Sequence, residues 1–114
     1  MSGNLILQER TGSRLRITIN RRDKANSVTH EMLILLRDAF LSAANDYDLR
    51  AVVITGAGER VFCAGADLTT LHEEREGPDL WKAMPEALRN IPVPTIAAIN
   101  GPCMGGGLSL ALNC

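Results

Sequence analysis

The sequence has little net charge, no long apolar run and no pattern typical of a secretory leader. Its 114 residues carry 12 Lys and Arg against 13 Asp and Glu, a net charge of −1, which does not indicate binding to nucleic acid or to an anionic membrane. No apolar stretch approaches the length that crosses a bilayer, and residues 1–10 lack a basic start followed by an apolar core. We therefore predict no nucleic-acid partner and no membrane partner.

Cysteine is also scarce. Cys63, Cys103 and Cys114 are odd in number, widely spaced and without a C-x-x-C pair, so they predict reduced thiols rather than a disulfide framework or a zinc site. Such thiols are typical of a cytosolic or matrix-type compartment, and the cytoplasm is the predicted location. His72 lies among three glutamates, a pattern more typical of a solvated helix than of a metal site. No metal is predicted.

The first residues predict a β-hairpin. Residues 4–8 contain a short apolar core, and residues 15–19 alternate between apolar and polar side chains, as a half-buried strand does. A turn sequence at residues 11–13 separates them. Residues 20–27 are polar and carry three basic side chains, which by themselves are typical of a solvated loop.

An amphipathic helix is predicted next. Thr29 is a favourable N-cap, Glu31 suits the first turn, and apolar residues recur at helical spacing to about Asn45. The predicted core face consists of Met32, Leu33, Leu36, Ala39, Phe40 and Ala43.

Two strand–glycine–helix units follow. Residues 51–55 and 95–99 are short apolar runs rich in β-branched residues, the pattern of strands buried on both faces. Between them, residues 71–77 are charged and are predicted to be helical or mobile. Residues 78–90 have helical spacing, although Pro85 predicts a break or a new first turn. This alternation predicts an α/β fold with parallel strands and crossover connections.

Small residues follow both predicted strands. Three glycines at 105–107 precede the last helix, where backbone N–H groups lack intrahelical acceptors and favour an anion or a developing oxyanion. The alternative is that glycine only lets this helix pack closely on its strand. Gly65 and Ala66 follow the earlier strand in the same way. Since ligands bind at the carboxyl ends of strands in open α/β sheets, N–H groups from both loops would polarise one carbonyl oxygen.

Three segments together resemble one known family. They are TGAGERVFCAGADL at 55–68, PVPTIAAINGPCMGGGLSLALNC at 92–114 and the earlier NRRDKAN at 20–26. In this order they resemble the enoyl-CoA hydratase/isomerase, or crotonase, superfamily, in register over nearly the whole chain. The resemblance implies a crotonase-like (ClpP/crotonase) α/β core of repeated ββα units, followed in the family by a C-terminal helical region. We interpret residues 1–114 as the N-terminal portion of a single such domain, truncated before that region; the alternative is a complete small protein.

The resemblance also implies a substrate, an assembly and site residues. The substrate would be an acyl-CoA thioester, with no separate cofactor because coenzyme A is part of the substrate. The backbone N–H groups of Ala66 and Gly106 would form an oxyanion hole for the thioester enolate. The assembly would be a homotrimer or a hexamer built as a dimer of trimers. The positions that match the segments lining the coenzyme A nucleotide are Lys24, Ala25, Ala64, Asp67 and Leu68.

Ser109 departs from the family pattern. Hydratases of the family carry a catalytic glutamate at this position, and their second glutamate would lie beyond Cys114. A serine hydroxyl orients water but is a poor base near neutral pH. The parent enzyme is therefore predicted to be a hydratase or isomerase, the alternative being a non-catalytic acyl-CoA-binding or scaffold relative. Ser109 narrowly misses the G-x-S-x-G elbow and has no base nearby, so a Clp-type serine nucleophile is not expected. The 114 residues alone are expected to have little or no activity.

Overall fold

The computed structural model describes residues 4–67 and 79–114, which form one mixed β-sheet and three α-helices. The strands are β1 (Ile6–Thr11), β2 (Arg14–Ile19), β3 (Ala51–Gly56) and β4 (Thr95–Ala98). The helices are α1 (His30–Ala44), α2 (Leu80–Arg89) and α3 (Gly106–Leu112), with a 3₁₀ turn at Arg22–Lys24.

The sheet has the order β1-β2-β3-β4. β1 and β2 pair antiparallel, whereas β2 pairs parallel with β3 and β3 with β4. Ile17 lies opposite Ile54, and Val52 lies opposite Thr95. The predicted hairpin and the parallel crossover topology are confirmed, although β1 lies two to three residues later than the prediction. The carboxyl ends of β3 and β4 consequently meet at one edge.

α1 covers one face of this sheet, as its apolar pattern predicts. The Oγ1 atom of Thr29 accepts a hydrogen bond from the N–H of Met32 at 3.2 Å, so the predicted N-cap is confirmed. All six residues of the predicted core face are buried. They pack in one cluster with the fully buried Ile17 and Ile54 of the sheet.

We expect Thr29→Ala to lower the free energy of unfolding by about 1 kcal/mol, since the N–H of Met32 loses its acceptor. Urea denaturation followed by far-UV circular dichroism measures the effect. Thr29→Ser is the matched control, because it keeps the hydroxyl. Equal stability of the alanine and serine variants would contradict a capping role.

β4 differs from its prediction. Its side chains alternate between half-buried and exposed, and Ile96 is 49% exposed. The prediction of burial on both faces is therefore wrong for β4, and in β3 only alternate residues are fully buried. The cause is position, because β4 is the edge strand of the described sheet and one of its faces has no covering element there. Leu108 and Leu112 of α3 are also exposed.

α2 also differs, since it continues through Pro85. The break predicted there is wrong. Proline removes only the hydrogen bond to the carbonyl four residues earlier, that of Trp81, while Met84 and Leu88 are buried as α2 packs along α1. Packing of this apolar face offsets the lost bond. The predictions for residues 71–77 and for His72 lie outside the described residues. Within residues 4–67 and 79–114, no helix has the length and apolar content needed to span a membrane.

Candidate functional site

The loops that follow β3 and β4 run side by side. The N–H of Phe62 donates to the carbonyl of Pro102 at 3.0 Å, and the N–H of Met104 donates to the carbonyl of Cys63 at 3.0 Å. The backbones of Cys63 and Cys103 pair as an isolated parallel β-bridge between the two loops. The two loops that carry the predicted backbone donors are therefore hydrogen-bonded to each other.

The polar loop after β2 joins them. The N–H of Val28 donates to the carbonyl of Gly65 at 2.7 Å, and the N–H of Asp67 donates to the carbonyl of Val28 at 2.9 Å. The N–H of Ala64 donates to the carbonyl of Ala25 at 3.1 Å. Ala25 has a left-handed backbone, with φ of 53°. Three segments that are distant in the sequence thus meet at one place.

Two asparagine side chains hold these loops in place. The amide of Asn26 donates to the carbonyls of Ala57 at 3.1 Å and Val61 at 3.0 Å, and its oxygen accepts from the N–H of Arg21 at 2.9 Å. The amide of Asn100 bonds in a similar way to the turn after β3. Asn26 is buried and all its polar atoms have partners, which makes the loop arrangement rigid.

A cavity of about 590 Å³ opens where the three segments meet. Its lining residues are Arg21, Lys24, Ser27, Ala64, Gly65, Ala66, Asp67, Gly105 and Gly106. Gly65 has a φ of 101°, and a Cβ atom there would lie 3.0 Å from the carbonyl oxygen of Met104 and 3.4 Å from the nitrogen of Gly106. A side chain at position 65 would therefore be crowded by the second loop and strained by the positive φ.

Ala66 and Gly106 share one property. Within the described residues, the N–H of neither residue donates to a protein acceptor, whereas the neighbouring N–H groups of Asp67 and Gly107 do. Both residues line the same cavity. The cavity is thus lined by two residues with unpaired backbone donors, on loops that are hydrogen-bonded to each other.

The structure brings most of the predicted nucleotide-binding positions to this place. Lys24, Ala64 and Asp67 line the cavity, and Lys24 is exposed. Ala25 lies next to it and bonds to Ala64. Leu68 lies outside the described residues. Whether these positions bind coenzyme A stays a prediction.

Arg21 was not recognised from the sequence. Its guanidinium forms an ion pair with the carboxylate of Asp67, and it donates to Ser27 Oγ at 3.1 Å. The side chain of Asp67 is 7% exposed. The pair joins residues 46 positions apart, for which no local pattern exists. It fastens the loop after β2 to the loop that presents Ala66, and it engages the carboxylate of Asp67.

Ser109 lies in α3, which begins at the cavity residue Gly106. It is exposed, one turn into α3, and its N–H donates to the carbonyl of Gly105 at 3.1 Å. It is not among the residues that line the cavity. Among the described residues, no group of three or more His, Cys, Asp or Glu side chains lies close enough to hold a metal ion.

The three cysteines are free thiols. Cys63 is fully buried, and this burial raises the pKa of its thiol, an effect that a hydrogen bond with the backbone of Gly65 offsets only in part. A raised pKa leaves less thiolate at a given pH.

We therefore expect Cys63 to resist iodoacetamide at pH 8 in the native protein, because its thiol is buried as well as weakly ionised. Cys114 is exposed and should react, but slowly, because partial burial raises the pKa of its thiol to about 11. Peptide mass spectrometry after timed labelling measures both rates. At a urea concentration that unfolds the protein, the labelling rates of Cys63 and Cys114 should become similar. Labelling of Cys63 as fast in the native protein as in urea would contradict the buried site.

Residues 9–114 match the sequence profile of enoyl-CoA hydratase/isomerase. The chain belongs to the enoyl-CoA hydratase/isomerase family. This confirms the resemblance read from the three motifs, including the stretches that carry Ala66 and Gly106.

Individual relatives agree with this. The chain is 46% identical to EchA14 of Mycobacterium tuberculosis, over 84% of the chain and 39% of that protein. It is 38% identical to the mitochondrial methylglutaconyl-CoA hydratase of Rattus norvegicus, over 95% of the chain and 36% of that protein. The crystal structure of an enoyl-CoA hydratase from Bacillus anthracis superimposes with a TM-score of 0.89 at 34% identity, over 97% of the chain and 45% of that chain. The crotonase-like α/β fold is confirmed, and the chain spans less than half the length of these relatives.

Proposed function

We propose that the protein binds acyl-CoA thioesters and holds the thioester oxygen with the backbone N–H groups of Ala66 and Gly106. The observation that carries this proposal is the pair of unpaired N–H groups on contacting loops of one cavity. The substrate class is supported by family membership and by relatives that are named as coenzyme A hydratases.

The proposed chemistry follows from where negative charge develops. Hydration or isomerisation of an enoyl thioester passes through an enolate, in which the carbonyl oxygen becomes an oxyanion. Hydrogen bonds from Ala66 and Gly106 strengthen as this charge grows, so they stabilise the transition state more than the ground state. Gly65 and the hydrogen bonds between the loops hold the donors in place before substrate arrives. Their alignment needs no reorganisation during the reaction.

The charges around the cavity suit the coenzyme A end of such a substrate. Lys24 lines the cavity and is exposed, so its ammonium group would attract the phosphate groups of coenzyme A. Arg21 is engaged by Asp67, so its role is to support the loops rather than to supply an open positive charge. We assign Lys24, and the backbone of Ala25 and Ala64, to the nucleotide side of the site.

Proton transfer requires groups beyond this cavity. Among the described residues that line the cavity, Asp67 is the only carboxylate and is paired with Arg21, and Ser109 is not in the lining. We propose enoyl-CoA hydratase or isomerase activity for the whole protein, with the general acid and base outside the described residues. The pairing of Asp67 with Arg21 and the position of Ser109 outside the lining also favour a second candidate, a non-catalytic acyl-CoA-binding relative.

The test uses the intact protein and crotonyl-CoA. Loss of the conjugated thioester absorbance, with mass-spectrometric identification of the product, measures turnover, and calorimetric titration measures binding. Turnover supports the enzyme, and binding without turnover supports the second candidate. Absence of both would overturn the assignment to acyl-CoA thioesters. Free crotonate is the control, because it lacks the coenzyme A that Lys24 would recognise.

Assembly and location are further proposals. A homotrimer, or a hexamer made of two trimers, is what the family resemblance implies, and light scattering after size exclusion measures it. Cytoplasmic location rests on the three free thiols, and cell fractionation tests it.

A further inference from the structure

Trp81 lies directly against the proposed donor Gly106. A Cβ atom on Gly106 would lie 2.2 Å from Cζ3 and 2.4 Å from Cη2 of the indole. The outer edge of the ring therefore occupies the space that any side chain at position 106 would need. Trp81 is half-buried in the first turn of α2 and packs against the hydrophobic core.

The indole is anchored by its own helix. The carboxylate of Asp79 accepts a hydrogen bond from the N–H of Trp81 at 3.1 Å and caps α2. Leu80 and Met84 of the same helix are buried. At the far ends of the two helices, the guanidinium of Arg89 on α2 donates to the amide oxygen of Asn113, just beyond α3, at 2.7 Å. These contacts hold α2 alongside α3, with the indole against Gly106.

Gly106 thus has neighbours on two sides. The backbone of Gly65 lies on one, where its Cβ position is 3.4 Å from the Gly106 nitrogen, and the indole of Trp81 lies on the other. Glycine adopts many backbone conformations, so three in a row leave the peptide planes around Gly106 poorly determined by local preference. Packing from both sides is what restricts them.

We propose that Trp81 is a positioning residue, whose indole fixes the Gly106 peptide so that its N–H points at the substrate oxygen. This inference rests on the proposed oxyanion role of Gly106. The contact acts on the donor rather than on the substrate. Because the donor binds the transition state more tightly than the ground state, loss of the indole lowers kcat more than it raises KM.

The activity test compares Trp81→Ala and Trp81→Phe with Leu88→Ala in the intact protein. Trp81→Ala is expected to lower kcat by about 10- to 100-fold with KM within about 2-fold, because misplacing a catalytic group by about 1 Å costs up to about 100-fold. Trp81→Phe, which keeps a smaller ring, should retain part of the rate. Leu88 is buried two turns along α2, so Leu88→Ala reports loss of helix packing alone. An unchanged kcat in Trp81→Ala, or an equal loss in Leu88→Ala, would overturn the positioning role.

A double-mutant cycle tests whether Trp81 acts through Gly106. Gly106→Ala places a Cβ atom where the indole lies, so the single variant should lose activity. In the Trp81→Ala background the same change meets no indole and should cost much less. Independent, multiplicative effects of the two substitutions would contradict the coupling.

Fluorescence separates this inference from the proposed function. Trp81 is the only tryptophan among the 114 residues, and Trp81→Phe supplies the background for subtraction. Gly106→Ala should shift the Trp81 emission without any substrate, because the ring must move. If Gly106→Ala shifts the emission but the unsubstituted protein neither turns over nor binds a thioester, the oxyanion role is overturned and the contact between Trp81 and Gly106 stands. If the unsubstituted protein turns over normally and Gly106→Ala gives no shift, the positioning role of Trp81 is overturned and the proposed function stands.

Discussion

Gly106→Pro is expected to lower the turnover of an enoyl-CoA thioester by about 100- to 1,000-fold, the usual cost of removing one oxyanion donor. Proline has no N–H, and Gly106 is the first residue of α3, a position whose backbone angles proline adopts readily. The helix should therefore persist while the donor disappears. Steady-state kcat and KM measured on the intact protein give the effect.

Gly106→Ala is the matched control for that experiment. Both substitutions place a Cβ atom against the indole of Trp81, but alanine keeps the N–H. The ratio of the two rates therefore isolates the hydrogen bond from the steric effect. If the two variants had equal turnover in the Trp81→Ala background, where the Cβ atom meets no indole, Gly106 would not act as a donor, and the unpaired N–H groups in the cavity would need another explanation.

The parts of the fold that the sequence predicted depend on near neighbours in the chain. Thr29 caps α1 through a bond three residues away, and the buried face of that helix follows from a repeat of three to four residues. The hairpin and the parallel pairing of β3 with β4 follow from strand patterns and from the glycine-rich segments after them. Such features need no knowledge of what the rest of the chain does.

The parts that were missed depend on packing between distant segments. Arg21 and Asp67 are 46 residues apart, and nothing near either residue indicates its partner. Pro85 disfavours a helix locally, yet burial of the α2 face along α1 outweighs that preference. The exposure of Ile96 was missed because an apolar run predicts a strand buried on both faces. The run does not show whether the chain has an element that packs on each face.

The site shows the same division. Ala66 and Gly106 were predicted as donors because small residues follow both strands and because the motifs resemble one family. The close approach of their loops, which would place a Cβ atom on Gly65 3.4 Å from the Gly106 nitrogen, is a property of the folded backbone. The contact between Trp81 and Gly106 joins α2 to α3, and the helical spacing within residues 78–90 does not indicate it.

Asp67→Asn is expected to lower the free energy of unfolding by about 3 kcal/mol, the lower end of the cost of removing one partner from a buried ion pair. The side chains of Asp67 and Arg21 are 7% and 19% exposed, so the substitution leaves the guanidinium of Arg21 largely out of water without its counter-charge. It also removes one link between the loop after β2 and the loop that presents Ala66, while their backbone hydrogen bonds remain. Urea denaturation measures the free energy of unfolding. The double variant Arg21→Met with Asp67→Leu should lose less of this free energy than the sum of the losses from Arg21→Met alone and Asp67→Leu alone.

Arg10→Met is the matched control, because Arg10 pairs with Asp46 at the surface, where the side chains are 39% and 33% exposed. Breaking that pair should cost less than about 1 kcal/mol, since water screens and solvates both charges. The contrast tests whether burial, rather than the mere presence of an ion pair, makes the Arg21–Asp67 link important. Equal losses from Asp67→Asn and Arg10→Met would contradict it, and the rigidity of the donor loops would then rest on their backbone hydrogen bonds and on the buried amides of Asn26 and Asn100.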